Sequence, residues 1–309
     1  MSKIYDGIMG LVVGDALGVP VEFEIRDTFS VTDMIGFGTH DQPPGTWSDD
    51  SSMTLATLES IGRLGEVNAN DIMMNFVDWF KGIAFTPHGS VFDIGLSTRN
   101  AILRYTRGID PANCGGKNLS DNGNGALMRI LPVAMFPNDP NKQVKLLSVA
   151  HLTHAHCISD YGCLVYAAIV ENLMCSMGKE ESVKKGVQRF QHNVETNSLL
   201  ADYSRLPDIQ YIERNEIKSS GYVVDTLEAA IWCFLNTKSY RECVFAAVNL
   251  GNDTDTIAAV AGSLAGILYG CGGETGIPEE WLCKIARKDW IDELCRKYEV
   301  VLEKEGNNL

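Results

Sequence analysis

The sequence predicts an all-α protein, and three observations carry that expectation. Apolar residues recur at i, i+3 and i+4, as in Ile72, Met73, Phe76, Val77 and Phe80, or Leu227, Ala230, Ile231 and Phe234. That spacing is the stripe an amphipathic helix buries. Alternating apolar and polar runs long enough for a half-buried strand do not occur, and the segments between the periodic stretches are rich in Gly, Pro, Asn, Asp and Ser, the residues that punctuate helices.

Taken in order, the first helix is predicted over 3–18, where Ile4, Ile8, Leu11 and Val12 share a face. A second, 51–63, follows an acidic turn at Ser48-Asp49-Asp50-Ser51. Periodicity then predicts helices at 69–82, 91–106, 125–135, 142–152, 159–177, 180–197, 224–236 and 239–250. Segment 255–270 follows a second acidic turn and holds the most apolar run, Ile257 to Tyr269; helices at 278–286 and 288–304 close a set of about thirteen. Three stretches resist helical assignment, 20–48, 107–124 and roughly 198–222. The last reads equally as a lid over a site or as a tolerated surface insertion.

No linker, charge block or change of composition divides the 309 residues, so one domain over 1–309 is expected. With 45% hydrophobic and 21% charged residues the chain can bury a sizeable core. A formal net charge of −14 disfavours nucleic-acid and anionic-membrane partners, and a monomer is expected. The run 257–269, with Gly262 and Gly266 in GxxxG spacing, is shorter than the roughly 20 residues a membrane span needs. The first residues lack the layout of a signal peptide. Nine cysteines, odd in number and without a CxxC pair, read as reduced thiols, so a cytoplasmic location is expected.

The chemistry concentrates in two short turns about two hundred residues apart, Trp47-Ser48-Asp49-Asp50-Ser51 and Gly251-Asn252-Asp253-Thr254-Asp255-Thr256. Ser, Asp, Asn and Thr are also ordinary N-cap residues, and acidic groups in a first turn complement the helix dipole. A cap needs one oxygen, however, whereas each turn here carries paired carboxylates. Like charges so clustered cost energy unless a proton or cation neutralises them. The donors are all oxygens, the set that Mg²⁺ or Mn²⁺ prefers, with none of the His or Cys that zinc takes.

Five motifs in order, Gly14-Asp15-Ala16-Leu17-Gly18 with Glu22, Pro44-Gly45-Thr46-Trp47-Ser48-Asp49-Asp50, Gly123-Asn124-Gly125-Ala126-Leu127-Met128-Arg129, Thr153-His154-Ala155-His156 and the 251–256 turn, resemble the ADP-ribosylglycohydrolases. The bacterial dinitrogenase reductase-activating glycohydrolase type is the subgroup they resemble most. The resemblance implies that Ser48, Asp49, Asp50, Asp253, Asp255 and Thr256 hold two divalent cations, Mg²⁺ or Mn²⁺, at helix N-termini. Ser48 departs from the threonine of the family pattern, which keeps the hydroxyl but leaves its rotamer freer. Glu22 is implied beside the metals, as a ligand or as the group that manages protons. Glu22 and Asp50 are the implied catalytic residues, one or the other orienting and deprotonating water, and Asp121, Gly123, Asn124, Gly125, His154 and Tyr222 are implied substrate contacts.

Gly123-Asn124-Gly125 at a helix mouth would cradle a phosphate with free amides. Arg129 either meets the pyrophosphate or braces a buried carboxylate, and the sequence leaves both open. His151 and His156 are expected to be structural, because no Cys or Glu stands at a zincin-like spacing from them. Tyr222, near Asp225, either packs on the distal ribose and leaving group or staples a helix entrance.

The implied activity is hydrolysis of the bond between ADP-ribose and a protein side chain, arginine first. Serine-, nucleobase- or small-molecule-linked ADP-ribose are the alternatives within enzymes, and a non-catalytic ADP-ribose-binding relative is the alternative outside them. The partner is accordingly an ADP-ribosylated protein or an ADP-ribose-containing small molecule.

Overall fold

The computed structural model of the protein describes residues 2–136 and 140–306. Among the described residues are fourteen α-helices and no β-strand. They are α1 (Lys3–Gly18), α2 (Asp49–Leu64), α3 (Ala69–Phe80), α4 (Leu96–Thr106), α5 (Leu131–Met135), α6 (Lys142–Ala150) and α7 (Cys157–Met174). Then follow α8 (Lys179–Gln188), α9 (Gln191–Thr196), α10 (Val223–Leu235), α11 (Tyr240–Val248), α12 (Thr254–Tyr269), α13 (Glu279–Leu282) and α14 (Lys288–Gly306).

Helices α1 and α12 form the antiparallel centre of the molecule. Gly10 faces Gly262, Gly14 faces Ala258, and Gly18 faces Thr254 and Asp255. A Cβ on Gly14 would stand 2.1 Å from the Ala258 carbonyl oxygen, and one on Gly18 2.3 Å from the Asp255 backbone. Only glycine lets two backbones come this close, so Gly14-Asp15-Ala16-Leu17-Gly18 is first a packing motif. Its consequence is positional. The end of α1 is pressed against the start of α12, which delivers Asp15 and Asp255 to the same place. The hydroxyl of Thr254 locks the junction by donating to the Gly18 carbonyl at 2.8 Å.

Four predicted helices are shorter or broken. The 91–106 segment becomes helical only at Leu96; Val91, Phe92 and Ile94 mimic a helical stripe, but the residues before Leu96 run as non-helical chain. The 125–135 segment divides into a 3-10 turn, Leu127–Arg129, and the short α5. Pro132 is the cause, since a residue without an N–H can begin a helix but not continue one. The 180–197 segment splits into α8 and α9, and 278–286 contracts to α13. The 198–222 stretch, expected to lack helix, winds into 3-10 turns over Ser198–Tyr211 and Arg214–Glu216.

The segment Lys3–Val21, and not 257–269, is long and apolar enough to cross a bilayer by composition alone, with a mean hydropathy of 1.4. It is 94% buried inside the molecule, as the central helix of a packed core would be.

Candidate active site

The approach to α2 is pinned before the acidic residues begin. Gly45 adopts φ 81° against the backbone of Lys284, where a Cβ would meet the carbonyl oxygen at 2.0 Å. The indole of the buried Trp47 donates to the Ala286 carbonyl at 2.9 Å. Asp15 then reaches across from α1 and accepts from the Ser48 amide at 2.9 Å, the Ser51 amide at 3.0 Å and the Ser51 hydroxyl at 2.5 Å. These bonds satisfy free N–H groups at the start of α2, which is what an N-terminal cap does. Here the cap comes from another helix.

The start of α12 is held in the same way. Asn252 has φ 60°, its amide donates to the Glu24 carbonyl at 2.8 Å, and the Asp253 amide donates to the Ser219 carbonyl at 3.0 Å. Arg26 binds the surrounding loops, donating to the carbonyls of Leu250, Arg214 and Ile217 at 2.7, 2.9 and 2.6 Å. The side-chain amide of Asn124 donates to Asp253 Oδ2 at 2.6 Å and to Thr226 Oγ1 at 2.9 Å.

The two acidic turns meet. Thr256 Oγ1 on α12 donates to Asp50 Oδ2 on α2 at 3.3 Å, and Ser48 Oγ donates to the same oxygen at 3.0 Å. One oxygen each from Asp15, Asp50 and Asp255 lie within 4.8 Å of one another, as do one each from Glu22, Asp253 and Asp255. Asp255 belongs to both triads. Asp50 Oδ1 and Asp255 Oδ2 are buried and accept no hydrogen bond, a costly state for a carboxylate unless a positive charge faces it. The all-oxygen donor set and these orphaned atoms fit a hard divalent cation.

Electrostatics report the same crowding. Burial pushes Glu22 up to about 7 and Asp15 up to about 6. Burial, and then the neighbouring carboxylates, hold Asp49, Asp50 and Asp255 well above the ordinary aspartate range. Asp253 is raised by burial as well. Glu22 is bonded to His40, whose imidazole that hydrogen bond keeps protonated to higher pH.

Above the triads opens a cleft of about 680 Å³, within the range of small-molecule sites. Glu22, Asp49, Asp253 and Thr256 line it, together with Asp121, Gly123, Asn124, Gly125 and His154. Asp50 and Asp255, each 1% exposed, do not line the cleft, but Asp255 shares a triad with Glu22 and Asp253, which do. Asp121 is engaged in its own loop, accepting from the Asn118 amide at 2.9 Å, a bond that lowers its carboxyl.

His154 is held by an ordered chain. Arg129 donates to Thr153 Oγ1 at 2.6 Å, and Thr153 Oγ1 lies 2.7 Å from His154 Nδ1. Arg129 can only donate, so the Thr153 hydroxyl is free to donate to Nδ1, an arrangement that puts the ring proton on Nε2, beside Gly123 and Gly125. Burial, with Arg129 second, lowers His154 to about 3, so the ring is a neutral donor.

Several expectations need correction. Asn124 opens no long helix: the 3-10 turn behind it is three residues long, so Gly123-Asn124-Gly125 offers space and backbone amides without a helix dipole. Arg129 does not line the cleft and pairs with no carboxylate among the described residues. It is fully buried, bonded to the Val149 carbonyl and Thr153, and stacked 4.8 Å over the Phe76 ring. Tyr222 stands outside the cleft lining, in a separate pocket where its hydroxyl donates to Asp202 at 3.0 Å. His151, bonded to Asp160 at 2.8 Å, and His156, which caps α7, are structural as expected. Two residues are added. Asp93 reaches the cleft from the chain before α4, hidden in sequence by its helix-like neighbours. Asp15, visible within its glycine motif, clamps α2.

This constellation has counterparts among known proteins. The family profile of the ADP-ribosylglycohydrolases matches residues 1–308. The chain belongs to the ADP-ribosylglycohydrolase family. It is 32% identical over 299 residues to ADP-ribosylarginine hydrolase Tri1 of Serratia proteamaculans, covering 96% of this chain and 79% of that one. It is 31% identical to the ADP-ribosyl-[dinitrogen reductase] glycohydrolase of Rhodospirillum rubrum, covering 93% and 91% of the two chains. A solved structure, an ADP-ribosylglycohydrolase-related protein complex, superposes with a TM-score of 0.81 at 30% identity, covering 97% of this chain and 98% of that one. The family assignment makes the protein a glycohydrolase.

Proposed function

We propose that this glycohydrolase removes ADP-ribose from arginine side chains of a protein, with two divalent cations, Mg²⁺ or Mn²⁺, between the starts of α2 and α12. The observation that carries the reading is the pair of carboxylate triads sharing Asp255 beneath the cleft. Ser48, Asp49, Asp50, Asp253, Asp255 and Thr256, joined by Glu22, would hold the ions. When bound, the ions supply Lewis-acid polarisation of ribose hydroxyls and of a water. The names of the relatives from Serratia and Rhodospirillum support the linkage.

The chain's own residues divide the remaining work. Glu22 lines the cleft, where its carboxylate can take a proton from water. The burial of Asp50, and the hydroxyls of Ser48 and Thr256 on its Oδ2, support a ligand role for it over that of base. Water oxygen bonds to ribose C1 as the C1–N bond breaks, and the water's proton ends on the departing guanidine nitrogen. Gly125, where a Cβ would meet His154 at 2.8 Å, lets the imidazole come close to the 123–125 turn, Asn124 orients Asp253, and His154 offers its Nε2–H. The nine unpaired cysteines support a reducing, cytoplasmic setting.

Release of ADP-ribose from arginine-, serine- and nucleobase-linked substrates, each with Mg²⁺ and with Mn²⁺, tests the reading. Preferred cleavage of the serine- or base-linked substrate would overturn the acceptor assignment while leaving the family assignment in place.

A further inference from the structure

Beside the cleft, across Ser220-Gly221-Tyr222, lies a second pocket of about 250 Å³ that the chemistry above does not use. Ser220 and Gly221 line the cleft, whereas Tyr222 and Asp225 line this pocket, and the Ser220 hydroxyl bonds Asp225 at 2.6 Å across the divide. Its rim is exposed at Asp202 and Lys218, and its floor is the buried Asp225 and Glu228. Glu228 is 4% exposed, and its Oε1 accepts no hydrogen bond. Arg205 Nε stands 3.3 Å from the other oxygen without adequate geometry to bond it.

A buried carboxylate oxygen left open at the bottom of a pocket is expensive unless a donor completes it. Burial raises the Glu228 carboxyl to about 7. With Glu228 ionised, the three carboxylates Asp202, Asp225 and Glu228 outnumber Arg205 and Lys218 by one, so one added monocation then balances the pocket. An anion would meet the carboxylates, and a divalent ion would overshoot the balance in a pocket that Arg205 and Lys218 also line. A long cationic side chain suits the site: its head satisfies Oε1 and its stem lies against the Tyr222 ring. We propose that this pocket binds a lysine or arginine side chain of the protein that carries the ADP-ribose, at a residue other than the modified one. The inference rests on the reading that the acceptor is a protein arginine. The pocket then selects the sequence around that arginine.

The test uses ADP-ribosyl-arginine peptides in which a single lysine or arginine is moved through the positions flanking the modified residue, against an all-glutamine flank. At least one register is expected to lower KM about fivefold or more with kcat unchanged. Glu228→Gln and Asp202→Asn each abolish that advantage, while turnover of free ADP-ribosyl-arginine and inhibition by ADP-ribose stay as in the unaltered protein. Asp202 is exposed, so its substitution keeps the test valid if Glu228→Gln misfolds. The proposal is overturned if no register lowers KM, or if both variants slow free ADP-ribosyl-arginine as much as the peptides. Absence of turnover of any arginine-linked substrate by the unaltered protein would instead overturn the acceptor reading, and this inference with it.

Discussion

Glu22→Gln isolates the cost of one crowded carboxylate. Burial moves the Glu22 carboxyl from 4.5 to about 7 in the folded protein. For an acid shifted upward, the folded state holds its proton longer than the unfolded chain does. The stabilisation is complete below about pH 4.5 and is lost as pH rises to about 7, at up to about 1.4 kcal/mol per pH unit. Between pH 5.0 and 7.5 that amounts to about 2–3 kcal/mol. Glutamine, neutral throughout, escapes the loss. Urea unfolding in EDTA at the two pH values should show the variant gaining about 2–3 kcal/mol on the unaltered protein as pH rises. Parallel pH profiles for the two proteins would refute the claim that Glu22 ionises at a cost inside the fold.

Asp253→Asn keeps a partner for Asn124 but removes a charge from one triad; the rise in melting temperature on adding Mn²⁺ should shrink, and an undiminished rise would take Asp253 out of the site. Gly14→Ala drives a methyl into the Ala258 carbonyl at 2.1 Å and should cost about 3 kcal/mol in urea unfolding, whereas a loss under about 1 kcal/mol would mean the two helices are not held together there. ADP-ribosyl-arginine should be cleaved at least about tenfold faster in kcat/KM than ADP-ribosyl-serine, a difference of about 1.4 kcal/mol, and the reverse order would refute the arginine reading.

Much of this architecture was legible in the chain. The stripe on α3 from Ile72 to Phe76 and the acidic starts of α2 and α12 are local signals, and local signals survive folding. The same periodicity misled at Val91, Phe92 and Ile94, because a short apolar run carries no mark of whether it coils or extends. Asp93 was lost with it. Pro132 was a readable break that the apolar run around it masked. Gly10, Gly14 and Gly18 recur every four residues, a sign of helix-to-helix contact that needs its partner, α12, before it means anything. Residues whose role is to hold others could not be assigned from sequence, because their partners are remote in the chain. Asp15 acts on Ser48 and Ser51, Asn124 on Asp253, and Arg129 on Thr153. Tyr222 was read beside Asp225; both line the neighbouring pocket, where the tyrosine hydroxyl bonds the remote Asp202.

The central claim is that the two acidic helix starts form one site for two divalent cations on which hydrolysis depends. Titrating Mn²⁺ into EDTA-stripped protein while following ADP-ribose release from ADP-ribosyl-arginine tests it directly. Turnover should be lost on stripping and return in full only as two equivalents bind; full turnover in the stripped protein, or saturation at a single equivalent, would contradict it.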